Sequence, residues 1–287
     1  MEKYPSSAFA AQAQFDIALR RYQAGDYQAS AEAFRRVVSQ FPSYSGADRA
    51  HYLMADAYVR AGQTEEARTA LEQFVSFFPN SEYRASVQLQ LGATRFAAGD
   101  YARAAVDFTS VLSDSAAPEV KTAATYNLAL CHRLLGEPEK AKEMLEAYRK
   151  AHPKDERAAE VAHQLGTIHE DAGRFEDAAR EYGHALEFKI SSALAVELRY
   201  RLGLCREQLG DDKAAIAAYS AAAGCPNKAD AYRLTAIARS AAIYEKRKEY
   251  SKALAAYRDL IKNATDPDIV VAARERASEL QSAGAKQ

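Results

Sequence analysis

The chain has 287 residues, 48% of them hydrophobic and 27% charged, with 38 basic against 39 acidic side chains and a formal net charge of −1. So balanced a charge excludes nucleic acid as the main ligand, because phosphate binding needs a basic surplus or at least a basic stripe. No apolar run is long enough to cross a bilayer as a helix, and three cysteines without a spacing pattern give no disulfide framework.

The sequence opens in mid-pattern. Pro5, in Tyr4-Pro5-Ser6-Ser7, lies 37 residues ahead of Pro42 in Phe41-Pro42-Ser43-Tyr44-Ser45. Residues 1–7 therefore read as the end of a preceding repeat or an added start, and a signal or lipid-attachment segment is expected upstream of Met1.

From residue 8 to residue 266 a ruler of 37 residues runs through the chain. Gly25, Gly62, Gly99, Gly136, Gly173 and Gly210 stand at that interval, and Lys248 takes the seventh place one residue late. Seven residues before each mark lies a small residue: Ala18, Ala55, Gly92, Ala129, Gly166, Gly203 and Ala241. Five after it lies another, namely Ser30, Ala67, Ala104, Ala141, Ala178, Ala215 and Ala253. Nine after it comes a bulky one: Phe34, Leu71, Phe108, Leu145, Tyr182, Tyr219 and Tyr257. Small against large at fixed offsets is what two antiparallel helices need when their backbones approach closely and one large side chain fills the seam between neighbouring pairs. The pattern predicts seven tandem helix–turn–helix units of about 37 residues.

Between units stand aromatic-Pro-x-Ser joins such as Phe78-Pro79-Asn80-Ser81. Proline ends one helix, and Ser45, Ser81 and Asp155 are the expected caps of the next. After Asp266-Pro267-Asp268 a last helix, roughly Ile269 to Gln281, has no partner following it. Residues 267–287 are read as a capping helix and short tail. Ile269, Val270, Ala273 and Ala277 are expected to cover the seventh pair, with Arg274, Glu275, Arg276 and Glu279 facing water.

A search for reactive groups finds no phosphate-binding Gly-rich loop, two-histidine zinc helix, paired CxxC or calcium loop. His163 and His169 are six apart on one helix and point to different faces. His132 and His169 share an offset four before the mark with Tyr58 and Tyr244, where packing with a polar tip at the surface accounts for all four. Cys131 and Cys205 share a core offset and read as small hydrophobes, while Cys225, beside Pro226 near a loop, is expected to be exposed. Lys246-Arg247-Lys248 reads as a solvated turn. No catalytic residue, cofactor or metal site is predicted.

In its order of small residue, turn glycine, alanine, aromatic and late proline, the unit from Phe9 to Asp266 resembles the tetratricopeptide repeat. It departs from that family's pattern in lacking the tryptophan of the first helix and in placing Lys248 where the last turn glycine belongs. The unit is about three residues longer than the family's usual 34, and the excess falls at the aromatic-Pro-x-Ser joins. Long units of that kind are similar to the periplasmic, outer-membrane-associated branch. That branch includes the lipoprotein scaffold of the outer-membrane β-barrel assembly (Bam) machine and the Tol-Pal coordinator. The resemblance implies an all-α, right-handed α-solenoid of about seven helix pairs plus a C-terminal capping helix, approaching one superhelical turn.

It also implies a concave wall built from the first helix of each pair, at offsets thirteen, ten, six, three and two before each mark. In the first four units these positions hold Phe15, Tyr22, Arg49, Tyr52, Asp56, Arg60, Phe96, Tyr126 and Arg133; in the last three they hold Glu160, His163, Glu170, Asp171, Glu197, Tyr200, Glu207 and Glu245. Aromatics and arginines supply hot spots of about 2–4 kcal/mol when a partner buries them, so affinity is expected in the N-terminal half. The acidic half is expected to orient a partner with a basic segment, although Arg133 and Glu170 could instead pair with each other across repeats. The family's clamp for a chaperone's terminal carboxylate does not match, since Phe15, Leu19, Tyr52 and Asp56 stand where its lysines and asparagines belong.

These readings converge on a non-catalytic scaffold of a bacterial envelope complex, periplasmic or outer-membrane-associated, that binds a protein or peptide partner. A cytoplasmic adaptor or assembly factor, or the recognition arm of a larger enzyme or receptor, are the alternatives. Oligomeric state is left open by the sequence.

Overall fold

The computed structural model describes residues 8–113, 115–227 and 230–284, so the expectation for residues 1–7 lies outside it. Among the described residues there are fifteen α-helices and no strand. Two compact units divide them, Met1–Tyr148 and Arg149–Gln287. In the first, α1 (Ala8–Gln23) packs on α2 (Tyr27–Gln40), α3 (Ala47–Arg60) on α4 (Thr64–Phe77) and α5 (Arg84–Ala97) on α6 (Tyr101–Ser113). Then come α7 (Pro118–Leu134) and α8 (Pro138–Ala151), in which the unit ends. In the second, α9 (Ala158–Asp171) packs on α10 (Phe175–Ala185), α11 (Ser192–Gln208) on α12 (Asp212–Ala223), and α13 (Ala231–Lys246) on α14 (Tyr250–Asn263), which α15 (Pro267–Gly284) covers. Each unit is a stack of helix pairs, and the fold is an all-α solenoid.

The turns explain the glycine ruler. All six marked glycines have φ between +70° and +81°, and Lys248 adopts the same left-handed conformation at +60°. That conformation lets the next residue reach back to the carbonyl five before it. The bonds run from Asp26 to Arg21 at 3.0 Å through Glu249 to Tyr244 at 2.8 Å. They satisfy carbonyls that a helix end would otherwise leave without a donor. A side chain in this conformation brings Cβ against its own carbonyl, which is why glycine recurs.

The small and large columns meet as the sequence requires. A Cβ added to Gly92, Gly166 or Gly203 would stand 2.6, 2.5 or 2.4 Å from a ring carbon of Phe108, Tyr182 or Tyr219 respectively. Those three rings are fully buried, as are Phe34, Leu71 and Leu145. Ser30, the one polar member of the small column, donates its hydroxyl to the Ala18 carbonyl at 3.0 Å and so costs the core no unpaired group.

Local expectations at Ser45, Ser81, Asp155, Cys225 and Ile269 are corrected. Ser45, Ser81 and Asp155 do not cap helices: the residues preceding α3, α5 and α9 are Gly46, Tyr83 and Arg157, none with a side-chain cap. Ser81 and Asp155 instead accept from the backbone N–H of Tyr83 and Arg157, at 3.3 and 2.8 Å, bracing the turn before the helix. Cys225 is buried in one cluster with Tyr219, Ala222 and Ala236. On α15 the buried stripe is Ala273, Ala277 and Leu280, while Ile269 is exposed; Arg274, Glu275, Arg276 and Glu279 face water, Arg276 also reaching Glu245.

Two consequences are measurable by urea unfolding. Lys248→Gly should raise stability by about 1 kcal/mol by removing left-handed strain, and Gly136→Ala should lower it by about the same amount. Gly166→Ala should cost about 1–3 kcal/mol through overpacking against Tyr182. Adding Tyr182→Leu should restore part of that loss, since Ala55 already faces Leu71 at the same offsets.

Candidate functional site

In the first unit, α1, α3 and α5 bring a set of aromatic and charged side chains together. Asp56, buried on α3, accepts from the Tyr22 hydroxyl, from Arg60 Nε at 2.6 Å and from Gln90 Nε2 at 2.7 Å. One carboxylate thus ties three consecutive leading helices. Burial and the Asp56 contact push the Tyr22 phenol up to about 12. The Arg60 guanidinium lies over the rings of Tyr22 and Tyr27, at 5.6 and 5.5 Å from their centroids, with half its side chain open to solvent.

Beside this group Tyr52 stacks on Tyr83, with centroids 4.8 Å apart and planes at 9°. Arg49 is exposed and covers the Phe15 ring at 5.4 Å. Further along, Phe96 packs edge-on against Tyr101 at 5.2 Å, and Arg133 is partly buried on α7 with its Nε lacking a partner. Phe15 and Tyr126 are not surface residues as expected. They are 3% and 8% exposed, packed against Phe34 and Tyr148 in the seams between helices, and offer nothing to a partner.

The second unit departs further from expectation. Glu170 accepts from the Tyr182 hydroxyl and from Arg201 at 3.1 Å, Glu207 from Tyr219 at 2.6 Å and Arg239 at 3.2 Å, and Glu245 from Tyr257 at 2.5 Å and Arg276 at 2.5 Å. One device is repeated three times: a tyrosine of the same pair and an arginine of the following leading helix close on one glutamate. Glu197 is held by Arg201 at 2.9 Å, with His163 at 3.7 Å. Most of the expected acidic wall is therefore internal cement, and Glu170 pairs with Arg201. Glu160 and Asp171 remain exposed.

The histidines and cysteines singled out by the sequence are engaged within the fold. His132 Nδ1 lies 2.6 Å from Glu137 Oε2, and His169 Nδ1 accepts from Arg174 Nε at 3.0 Å. Burial pushes the Cys131 and Cys205 thiols up to about 11 and about 12, away from reactivity. Among the described residues no three His, Cys, Asp or Glu could share a metal ion.

Sequence reasoning missed Tyr27, Tyr83 and Gln90, and the arginines of the glutamate clamps. The ruler held part of the signal. Aromatic Tyr27, Tyr101, Phe175 and Tyr250 all stand two after a mark, and Gln90, Arg201 and Arg239 all stand nine before one. Tyr83 lies in a join, where no offset places it.

The last clamp has a pH signature. Burial raises the Glu245 carboxyl, but the hydrogen bonds from Arg276 and Tyr257 outweigh it and hold the group below its ordinary value of 4.5. A depressed carboxylate contributes stability above its unfolded value and loses it as the pH falls. Urea unfolding between about pH 6 and pH 3 should therefore show a smaller acid-induced loss in Glu245→Gln than in the parent.

Comparison with known proteins is consistent with this architecture. The tetratricopeptide repeat-like domain matches residues 43–202, and single tetratricopeptide repeats match residues 12–44 and 196–224. No curated protein matches in sequence. Among solved structures, the C-terminal part of a TPR repeat-containing protein from Cytophaga hutchinsonii superposes with a TM-score of 0.71 at 14% identity, over 89% of this chain and 98% of that one. PilW, a widely conserved type IV pilus biogenesis factor, gives 0.56 at 17% identity over 74% of this chain and 91% of its own. YrrB, a TPR protein with an unusual peptide-binding site, gives 0.54 at 18% over 73% and 100%. Likeness at such identities speaks for the fold alone. The match over more than half the sequence, on helix pairs closed by left-handed turns, makes this chain a member of the tetratricopeptide repeat family, whose repeats generally serve as non-catalytic scaffolds for protein interaction.

Proposed function

We propose that the face formed by α1, α3 and α5 holds a peptide or helix of a partner protein, and that the protein is a scaffold in a bacterial envelope complex, periplasmic or outer-membrane-associated. The observation that carries the reading is the half-exposed group of Tyr22, Tyr27, Tyr52, Tyr83, Arg49 and Arg60 on one face of one unit. Tyrosine and arginine are the residue types that form binding hot spots, because they combine large apolar area with polar ends at low entropic cost. Here the rings are already fixed by stacking and by the Asp56 contacts, so little order remains to be imposed on binding. The peptide-binding site of YrrB lends support by fold. For the compartment, support comes from the long aromatic-Pro-x-Ser joins and from the pilus biogenesis role of PilW.

The test is affinity capture from native extract with the full chain and with Tyr52→Ala/Tyr83→Ala, circular dichroism showing that the variant keeps its helices. Envelope proteins recovered by the parent should be lost or weakened about 30-fold with the variant, as expected for about 2 kcal/mol at a hot spot. Partners retained equally by both would overturn the assignment of the surface, and cytosolic partners alone would overturn the compartment.

A further inference from the structure

The charge of the leading helices differs between the units once pairing is taken into account. On α9, α11 and α13 there are six acidic and six basic residues, and of the acids Glu170, Glu197, Glu207 and Glu245 are held by arginines. On α1, α3, α5 and α7 there are eight basic residues against four acidic, with Arg60 paired to Asp56 and Arg95 to Asp107 and Glu72. Of those acids Asp56 is taken by Tyr22, Arg60 and Gln90, and Asp48 by the Ser81 hydroxyl at 2.8 Å and the Arg49 backbone N–H at 2.7 Å.

Arg49 and Arg133 have no carboxylate within ion-pair reach among the described residues, and Arg133 Nε is buried without an acceptor. The guanidinium of Arg49 lies over the Phe15 ring, 5.4 Å from its centroid. The planar guanidinium fork of an arginine is suited to two parallel hydrogen bonds to a carboxylate. Lysine-rich or neutral segments would leave the arginine charge unmatched.

From this arrangement we infer that the partner segment is acidic. It sets an Asp or Glu side chain on Arg49 and lays an aromatic or aliphatic side chain against Tyr52 and Tyr83, with Arg133 taking a second acceptor further along. This rests on the reading of the first unit as the docking surface, and it reverses the sign expected from sequence, where unpaired glutamates called for a basic partner. Because the attraction is between exposed charges, association weakens as salt is raised.

The experiment pans short random peptides displayed on phage against the full chain, then measures the enriched peptides by fluorescence polarisation. The proteins compared are the parent, Arg49→Glu, Arg133→Gln, Tyr52→Ala, and Arg36→Glu. The last makes the same charge change as Arg49→Glu at an exposed position of α2, which is not a leading helix. Enriched peptides should carry Asp or Glu beside an aromatic or aliphatic residue. Their affinity should fall about tenfold with Arg49→Glu, less with Arg133→Gln, and stay unchanged with Arg36→Glu.

Enrichment of basic or neutral peptides, no enrichment at all, or equal loss with Arg49→Glu and Arg36→Glu would overturn the inference. Peptides that depend on Tyr52 but ignore Arg49→Glu would overturn the acidic partner while leaving the docking surface standing. Peptides indifferent to both variants would overturn the two together.

Discussion

Everything in this fold depends on how closely the two helices of a pair approach, and that distance is set by a missing or minimal side chain facing a large one. Where the small residue is glycine, a ring carbon of the facing residue occupies the space a Cβ would need. Burying such a ring contributes roughly 1.5–3 kcal/mol, and the same contact fixes the pair in one register, because no other offset offers a gap of that depth. The left-handed turn makes the approach reachable in three residues. It closes the first helix on its own carbonyls and releases the chain in the opposite direction.

On that frame the two units use polar chemistry for different ends. In the second, the ring that fills the seam is a tyrosine, and its hydroxyl emerges beside a glutamate that the next leading helix grips with an arginine. A single side chain thus packs the pair and links it to its neighbour. In the first unit the seam is filled by Phe34, Leu71, Phe108 and Leu145, which carry no hydroxyl. Stacking between pairs there falls to Asp56 and to Arg95, which bridges Asp107 at 2.8 Å and Glu72 at 3.0 Å. Half-exposed tyrosines and arginines, some of which also link neighbouring pairs, are left on the face.

This division explains why charge read along the sequence misled. Glu170, Glu207 and Glu245 recur at one offset and look like a wall aimed at a partner, yet each is satisfied within its own unit. Arg49 and Arg60, scattered by comparison, retain capacity for an outside acceptor. A carboxylate clamped by an arginine and a phenol has little left to offer, whereas an arginine lying over a ring keeps its donors.

The sequence alone determined the repeat length, the all-helical class, the turn position and the small-to-large pairing, because each is a local rule imposed at a fixed offset. The six glycines at the 37-residue interval each mark a left-handed turn, and even Lys248 could be assigned to that place by counting. What only the tertiary structure decided was which polar side chains meet. Arg201 reaches Glu170 across 31 positions and Tyr83 reaches Tyr52 across a join, contacts between neighbouring pairs whose angle no single unit encodes. Phe15 and Tyr126 share their offset with Tyr52, yet they are buried while Tyr52 is not. Burial at that offset depends on what the neighbouring helices place above it, so it was fixed by packing between elements and not by the repeat.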